Sequence, residues 1–385
     1  MSYIDEFCSA LNSIPTPMHY INWARQKLLN KGYTELKETE YWENIPDKFF
    51  VARDERSLIA INKKDLSSGL LVAAHIDSPC FRAKPLTSLS RCGIDQARVA
   101  PYGGGQWRTW YDRDLKIAGR LIYQDGDSIK SKLFESEYPV AIIPSLAIHL
   151  NRDLSTQNNI NLEDDIMPIL QLSSSNQELP PNLSKQSPSL MSAISECTGV
   201  ELQNFIDFDV YFVDAQGPVV LGTERELLSA PRLDDLSSAI PGLEAFIESP
   251  DPSTGMKVFL AFDAEEIGSN LRTGAKSNFL NNILEILKVP LSFGANSLLI
   301  SADNVHANHP EYQNKTDQNH PISLGGGVSY AWNSNYNVAT DLSSLTELQQ
   351  RTSQVLRACV PRNDVSHGST VGPTLAAQLG IRTVD

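Results

Sequence analysis

Apolar and polar positions change their spacing several times along this chain. Residues 1–32 carry apolar positions at helical intervals, with a break at Pro15-Thr16-Pro17 and an end at Asn30-Lys31-Gly32. Residues 49–62 alternate instead, which predicts a hairpin with a polar turn after Phe50-Val51-Ala52-Arg53. Residues 70–74 are apolar without interruption, as in a strand buried on both faces. Between about 91 and 225 the pattern is of short alternating segments, such as 115–123, 138–143 and 208–213. Polar, Pro- and Ser-rich stretches separate them, and 173–190 reads as a mobile loop. From Leu227 onward, helix and strand patterns alternate: helices over 236–247, 277–287, 342–360 and 372–379, and strands over 256–262, 297–301 and 381–384.

This order predicts an α/β fold, a mainly parallel central sheet flanked by helices. The sheet-bearing domain is discontinuous, residues 1–90 and 226–385, and residues 91–225 form a β-rich insertion.

Composition narrows the classes. Of the 385 residues, 41% are hydrophobic, ample for a core. A formal net charge of −14, with no Lys/Arg cluster, argues against nucleic acid and anionic membrane as partners. The five cysteines are scattered and form no C-x-x-C pair, which fits a reducing compartment better than a disulfide framework. The N-terminus lacks a basic segment followed by an apolar one, and no apolar run approaches the ~20 residues of a membrane span. A cytoplasmic protein is expected.

Candidate chemistry follows the apolar runs. His75-Ile76-Asp77 comes directly after 70–74, Glu265-Glu266 after 256–262, and Asp303 after 297–301. Asp234-Asp235 precedes a predicted helix. Open α/β sheets build their sites outside the carboxyl ends of their strands. One histidine with several carboxylates is the donor set of a hydrolytic metal centre. Asp77 is placed to orient His75, Asp234 to bridge, and Asp235 to cap the helix. Adjacent glutamates point to opposite sides of an extended segment, so one can bind metal while the other moves a proton. Each piece has a plainer reading alone: a satisfied histidine, a cap, a solvated acidic turn. Gly103-Gly104-Gly105 and Gly325-Gly326-Gly327 read as tight turns, and neither G-x-S-x-G nor H-E-x-x-H occurs.

The chain resembles the aspartyl aminopeptidase family of dinuclear zinc exopeptidases over essentially its whole length. The matching motifs include Pro15-Thr16-Pro17-Met18-His19, Ala74-His75-Ile76-Asp77-Ser78-Pro79-Cys80 and Tyr102-Gly103-Gly104-Gly105 through Trp110-Tyr111-Asp112-Arg113-Asp114-Leu115. Ala230-Pro231-Arg232-Leu233-Asp234, Asp263-Ala264-Glu265-Glu266-Ile267-Gly268-Ser269, Ser301-Ala302-Asp303, His306-Ala307-Asn308-His309-Pro310 and Gly368-Ser369-Thr370-Val371-Gly372-Pro373 complete the set.

The resemblance implies two zinc ions per subunit. One is held by His75 and Asp303, the other by Glu266 and a later histidine, with Asp234 bridging both. It implies Glu265 as general base and Asp77 as the residue orienting His75. The implied reaction is removal of a free N-terminal residue from a peptide, Asp or Glu in the family. Residues 91–225 would be a dimerisation domain, and the assembly a homo-oligomer, dimer or dodecamer. His149 matches a histidine that reaches a neighbouring subunit's site in the family.

The family pattern also carries a Met-His-Ser segment past Thr383-Val384-Asp385, whose histidine completes the second zinc site, so that site is expected to be incomplete in this sequence. Asn333-Ser334-Asn335-Tyr336-Asn337 stands where family members carry basic side chains, leaving Arg82, Lys84 or a partner-subunit residue as the alternative source of positive charge. Val365-Ser366-His367 also departs from the pattern. The alternatives to an active peptidase are an impaired or truncated relative that retains only assembly, and a dinuclear zinc deacylase.

Overall fold

A computed structural model describes residues 2–155, 159–173 and 178–385. The chain divides into two compact units, residues 1–19 with 78–231 and residues 20–77 with 232–385.

The second unit is built on a seven-stranded sheet. In spatial order its strands are Thr34–Leu36, Lys48–Arg53, Ser57–Lys63, Met256–Phe262, Gly69–His75, Leu298–Ser301 and Arg382–Val384. The last four run parallel to one another, so their carboxyl ends share one edge. The predicted hairpin is the antiparallel pair Lys48–Arg53 and Ser57–Lys63. Uninterrupted apolar sequence in the central strands reflects cover on both faces. Leu71, Ala73, Val258, Leu260 and Phe262 pack in one core with Phe279, Leu280 and Ile283 of the helix Phe279–Leu287. On the helix Leu233–Glu248, Leu236, Ala239, Ile240 and Leu243 are buried. A Cβ built on Gly242 would lie 3.0 Å from the Phe259 ring, so glycine sets how closely this helix approaches the sheet.

The first unit is a β-barrel. Its order is Phe205–Asp214, Cys80–Arg91, Ile94–Tyr102, Ile169–Leu172, Ala141–Ile142, Asp114–Asp125 and Ser128–Glu135. Pairing of Phe205–Asp214 with Asp114–Asp125 closes it. At that seam a Cβ on Gly119 would fall 1.9 Å from the Asp209 carbonyl oxygen. Phe81, Val99, Ile117, Phe134, Val210 and Phe212 fill the interior with Leu190 and Ile194 of the helix Pro188–Thr198.

Several local expectations differ from what is observed. Compared with the boundaries 1–90, 91–225 and 226–385, residues 78–90 go with the barrel, because Cys80–Arg91 pairs with Ile94–Tyr102 and Phe205–Asp214. Residues 1–19 also group with that unit. Part of the loop expected over 173–190 lies outside the described residues, but its far end is ordered. Ser187 caps the helix Pro188–Thr198 through the Leu190 amide, and Gly199 closes it at φ 67°. The single helix expected over 342–360 is the helix Leu342–Arg351 followed by the strand Arg357–Cys359. Thr352 turns extended, and the strand pairs with Ser329–Ala331. No helix among the described residues is long and apolar enough to cross a membrane.

Candidate metal centre

Four chain segments bring their acidic groups to the carboxyl edge of the parallel strands. His75 is the last residue of Gly69–His75 and is 2% exposed. The strand direction is continued past this point by the Ile76 amide, which donates to the Phe262 carbonyl at 2.9 Å. Asp77 is buried, and its two carboxylate oxygens accept the amides of Glu265 and Glu266 at 3.1 and 3.2 Å. Asp77 therefore fixes the turn that carries both glutamates. It also holds the imidazole: His75 Nδ1 lies 3.0 Å from the Asp77 carbonyl oxygen and 3.4 Å from Oδ1. That leaves His75 Nε2 facing Asp234 Oδ1 at 3.0 Å, Asp303 Oδ1 at 3.9 Å and Glu265 Oε2 at 4.0 Å.

Asp234 and Asp235 sit where the helix Leu233–Glu248 begins, joined by a cis peptide, with non-helical φ/ψ at both. Asp234 turns outward toward His75, whereas Asp235 is fully buried. Asp235 Oδ2 accepts the His75 amide at 3.2 Å, and Oδ1 accepts Asn304 Nδ2 at 3.1 Å. Asn304 also donates to the Leu233 carbonyl at 3.1 Å and accepts from Ser237 Oγ at 2.9 Å. Its amide donates to Asp303 Oδ1 at 2.6 Å.

The structure thus brings together His75, Asp77, Asp234, Glu265, Glu266 and Asp303, all named from the sequence. It adds Asp235, expected to cap a helix, and Asn304, which sequence reasoning missed. The tandem Asp234-Asp235 was the available signal for the first. No local signal marked the second, whose partners are 69 and 71 residues away. His149 lies in the other unit, exposed in a turn between Ile148 and Leu150. Arg82 and Lys84, also of that unit, are bonded within it to Asp209 and Glu163, each at 2.6 Å. His367 is exposed.

The donor atoms lie close enough together to share a metal. His75, Asp234 and Glu266 offer one ligand atom each within 4.8 Å of one another, and so do His75, Asp235 and Asp303. Burial, then repulsion from neighbouring carboxylates, raises Glu265 to about 7, Glu266 to about 8 and Asp303 to about 6, against the pull of the His75 imidazolium. Burial sends Asp235 well above the ordinary range. Burial disfavours the charge on His75, but hydrogen bonds to Asp234 and Asp77 outweigh it and raise its pKa. So many crowded acids around one imidazole are costly as bare groups, and a divalent cation would keep them ionised. The residues present fit zinc, which takes imidazole nitrogen and carboxylate oxygen.

A parallel-centred α/β sheet with these donors beyond its strand ends defines a metal-dependent hydrolase. The chain belongs to the aminopeptidase I zinc metalloprotease (M18) family, whose profile matches residues 10–385, and metalloaminopeptidase activity is the function of that family. It is 34% identical to the aspartyl aminopeptidase of Caenorhabditis elegans, over 99% of this chain and 87% of that protein. It is 36% identical to the probable M18 family aminopeptidase 2 of Ectopseudomonas mendocina, covering 97% of this chain and 89% of the relative. Among solved structures, the crystal structure of prApe1 superposes with a TM-score of 0.93 at 29% identity, covering 99% and 87% of the two chains. The mApe1 dodecamer of S. cerevisiae superposes at 0.87 and 27% identity, covering 99% and 88%.

Proposed function

We propose that this chain is a dinuclear zinc aminopeptidase that releases N-terminal residues, Asp and Glu among them, from peptides. The observation that carries the reading is the convergence of His75, Asp234, Glu266 and Asp303 at one sheet edge, with Glu265 facing the same space. Zinc held there supplies Lewis acidity toward the scissile carbonyl and lowers the pKa of water. His75, Asp303, Glu266 and Asp234 would hold the metals, with Asp234 proposed as the shared ligand. Asp77 keeps the His75 ring in place through Nδ1 and fixes the amides of both glutamates. Glu265 takes the proton of the attacking water and passes it to the leaving amine.

The acidic substrate class is that in the name of the nematode relative. The stretch 333–338 offers no basic side chain, and Arg82 and Lys84 are already paired within their own unit, so discrimination between Asp and Leu is expected to be modest. We assign assembly as a homo-oligomer to the barrel unit, as supported by the dodecameric relative and by exposed Ile129, Tyr138, Leu146, Leu150 and Leu172. In such an assembly His149 would serve a neighbouring subunit's site.

The test is release of N-terminal residues from matched Asp-, Glu- and Leu-peptides by the zinc-loaded chain and by Glu265→Gln. The parent should cleave all three. The variant should keep its zinc and lose turnover by about 10²- to 10⁴-fold, the contribution of a positioned base. A folded, zinc-loaded parent that cleaves none of them would leave only an assembly role. A variant with near-parental turnover would remove Glu265 from the mechanism.

A further inference from the structure

The loop carrying Glu265 and Glu266 is fastened from behind by the tip of the hairpin Lys48–Arg53 and Ser57–Lys63. Asp54 and Glu55 both take positive φ at that tip, 55° and 59°, which swings Arg56 and Ser57 onto the loop. Arg56 Nε donates to Asp263 Oδ2 at 2.6 Å, and the Asp263 side chain is fully buried. Ser57 Oγ accepts the Asp263 amide at 3.2 Å and donates to the Thr273 carbonyl. Arg53 Nη1 donates to the Arg272 carbonyl at 3.0 Å, with its guanidinium 4.3 Å above the Phe279 ring. Both ends of the loop are therefore anchored to one rigid turn. Between them Ala264 and Ser269, neither a glycine, are held at φ 65° and 60°. Such backbone persists only where surrounding contacts determine it.

A buried ion pair adds little net stability, because desolvation offsets its attraction, and apolar side chains of like volume often replace it at no cost. Stability is thus a poor account of a charge pair lying two residues before Glu265. We propose that Arg56 and Asp263 are positioning residues that set the Ala264 turn, so that Glu266 reaches the metal and Glu265 the reacting water. Neither touches substrate. The inference rests on those two roles of the glutamates.

The deciding variant is Arg56→Met/Asp263→Leu, which removes both charges and keeps an apolar fill. Its melting temperature should stay within about 3 °C of the parent. Zinc affinity, by calorimetric titration of apo-protein, should fall about 10- to 100-fold. The kcat should fall about 10²-fold at nearly constant KM, the cost of a small misplacement. Amide exchange over 263–268 should quicken at least ~10-fold, as expected for a locally loosened turn. Parental zinc affinity together with parental exchange would overturn the proposal. Should the double variant not fold, Arg56→Lys decides: a zinc affinity about fivefold lower supports positioning, and an unchanged one refutes it. If the parent cleaves no peptide, the role of Glu265 fails on its own. Zinc titration and exchange still decide whether the pair places the loop.

Discussion

Two regions of this molecule, the barrel and the carboxyl edge of the α/β sheet, treat their charges in opposite ways. In the barrel, acids and bases meet in pairs: Arg82 with Asp209, Arg113 with Asp214, Lys116 with Glu135. At the carboxyl edge of the α/β sheet, Asp77, Asp234, Asp235, Glu265, Glu266 and Asp303 crowd around one imidazole. Paired charges at a surface contribute little to stability and need no ligand. Converging acids raise one another's pKa and call for a cation. The contrast separates a scaffold from a site without reference to any motif.

The contrast can be broken most severely at Asp234. Asp234→Ala should abolish turnover and lose both metals, as measured by elemental analysis of the purified protein. One zinc retained in full would end the bridging role. Next in size is metal removal. Stripping zinc with a chelator should lower the unfolding free energy by about 3–4 kcal/mol at a hundred- to thousandfold excess over Kd. Calorimetry should assign that loss to the transition of the α/β unit. A smaller effect is expected at Asn304, which ties Asp235 to Leu233 and Ser237. Asn304→Ala should weaken zinc binding by about 10-fold, as loss of an outer partner does, and binding at parental strength would make the bridge ornamental. The smallest effect belongs to the barrel. Lys84→Ala breaks an exposed pair with Glu163, so stability should shift by no more than about 0.5 kcal/mol. The Asp-to-Leu rate ratio should not move, and a shift in it would bring Lys84 into substrate recognition.

What could be read in the sequence follows the same division. The strands Gly69–His75, Met256–Phe262 and Leu298–Ser301 stand out because burial on both faces leaves them almost wholly apolar. The residues just beyond them are site residues because chain direction puts all three ends on one edge. Cys80–Arg91 and Ile94–Tyr102 do not stand out in the sequence: the first is exposed over much of its second half, the second is mostly half-buried, and Thr87, Ser88, Ser90, Gln96 and Arg98 dilute the alternation. Ser187-Pro188 and Gly199 did signal a helix, but the polar run before them hid it. Residues 352–360 keep helix-like apolar spacing, and only pairing with Ser329–Ala331 makes part of them a strand. Asp235 was unreadable in its true setting, since the His75 amide that it binds lies 160 residues away.

The chain leaves the α/β unit directly after Asp77 and re-enters at Arg232, two residues before Asp234. Were the intervening ~150 residues a disordered loop, bringing His75 to Asp234 would cost about 4–5 kcal/mol of chain entropy. Within the barrel, Phe81 pairs with Phe212 and Arg82 with Tyr211, so folding of that unit shortens the loop that remains to be closed. During synthesis, His75 must therefore wait for a whole structural unit before it meets its first carboxylate partner across the gap. Of the four proposed ligands, His75 alone is made before residues 78–231, and Asp234, Glu266 and Asp303 all follow them.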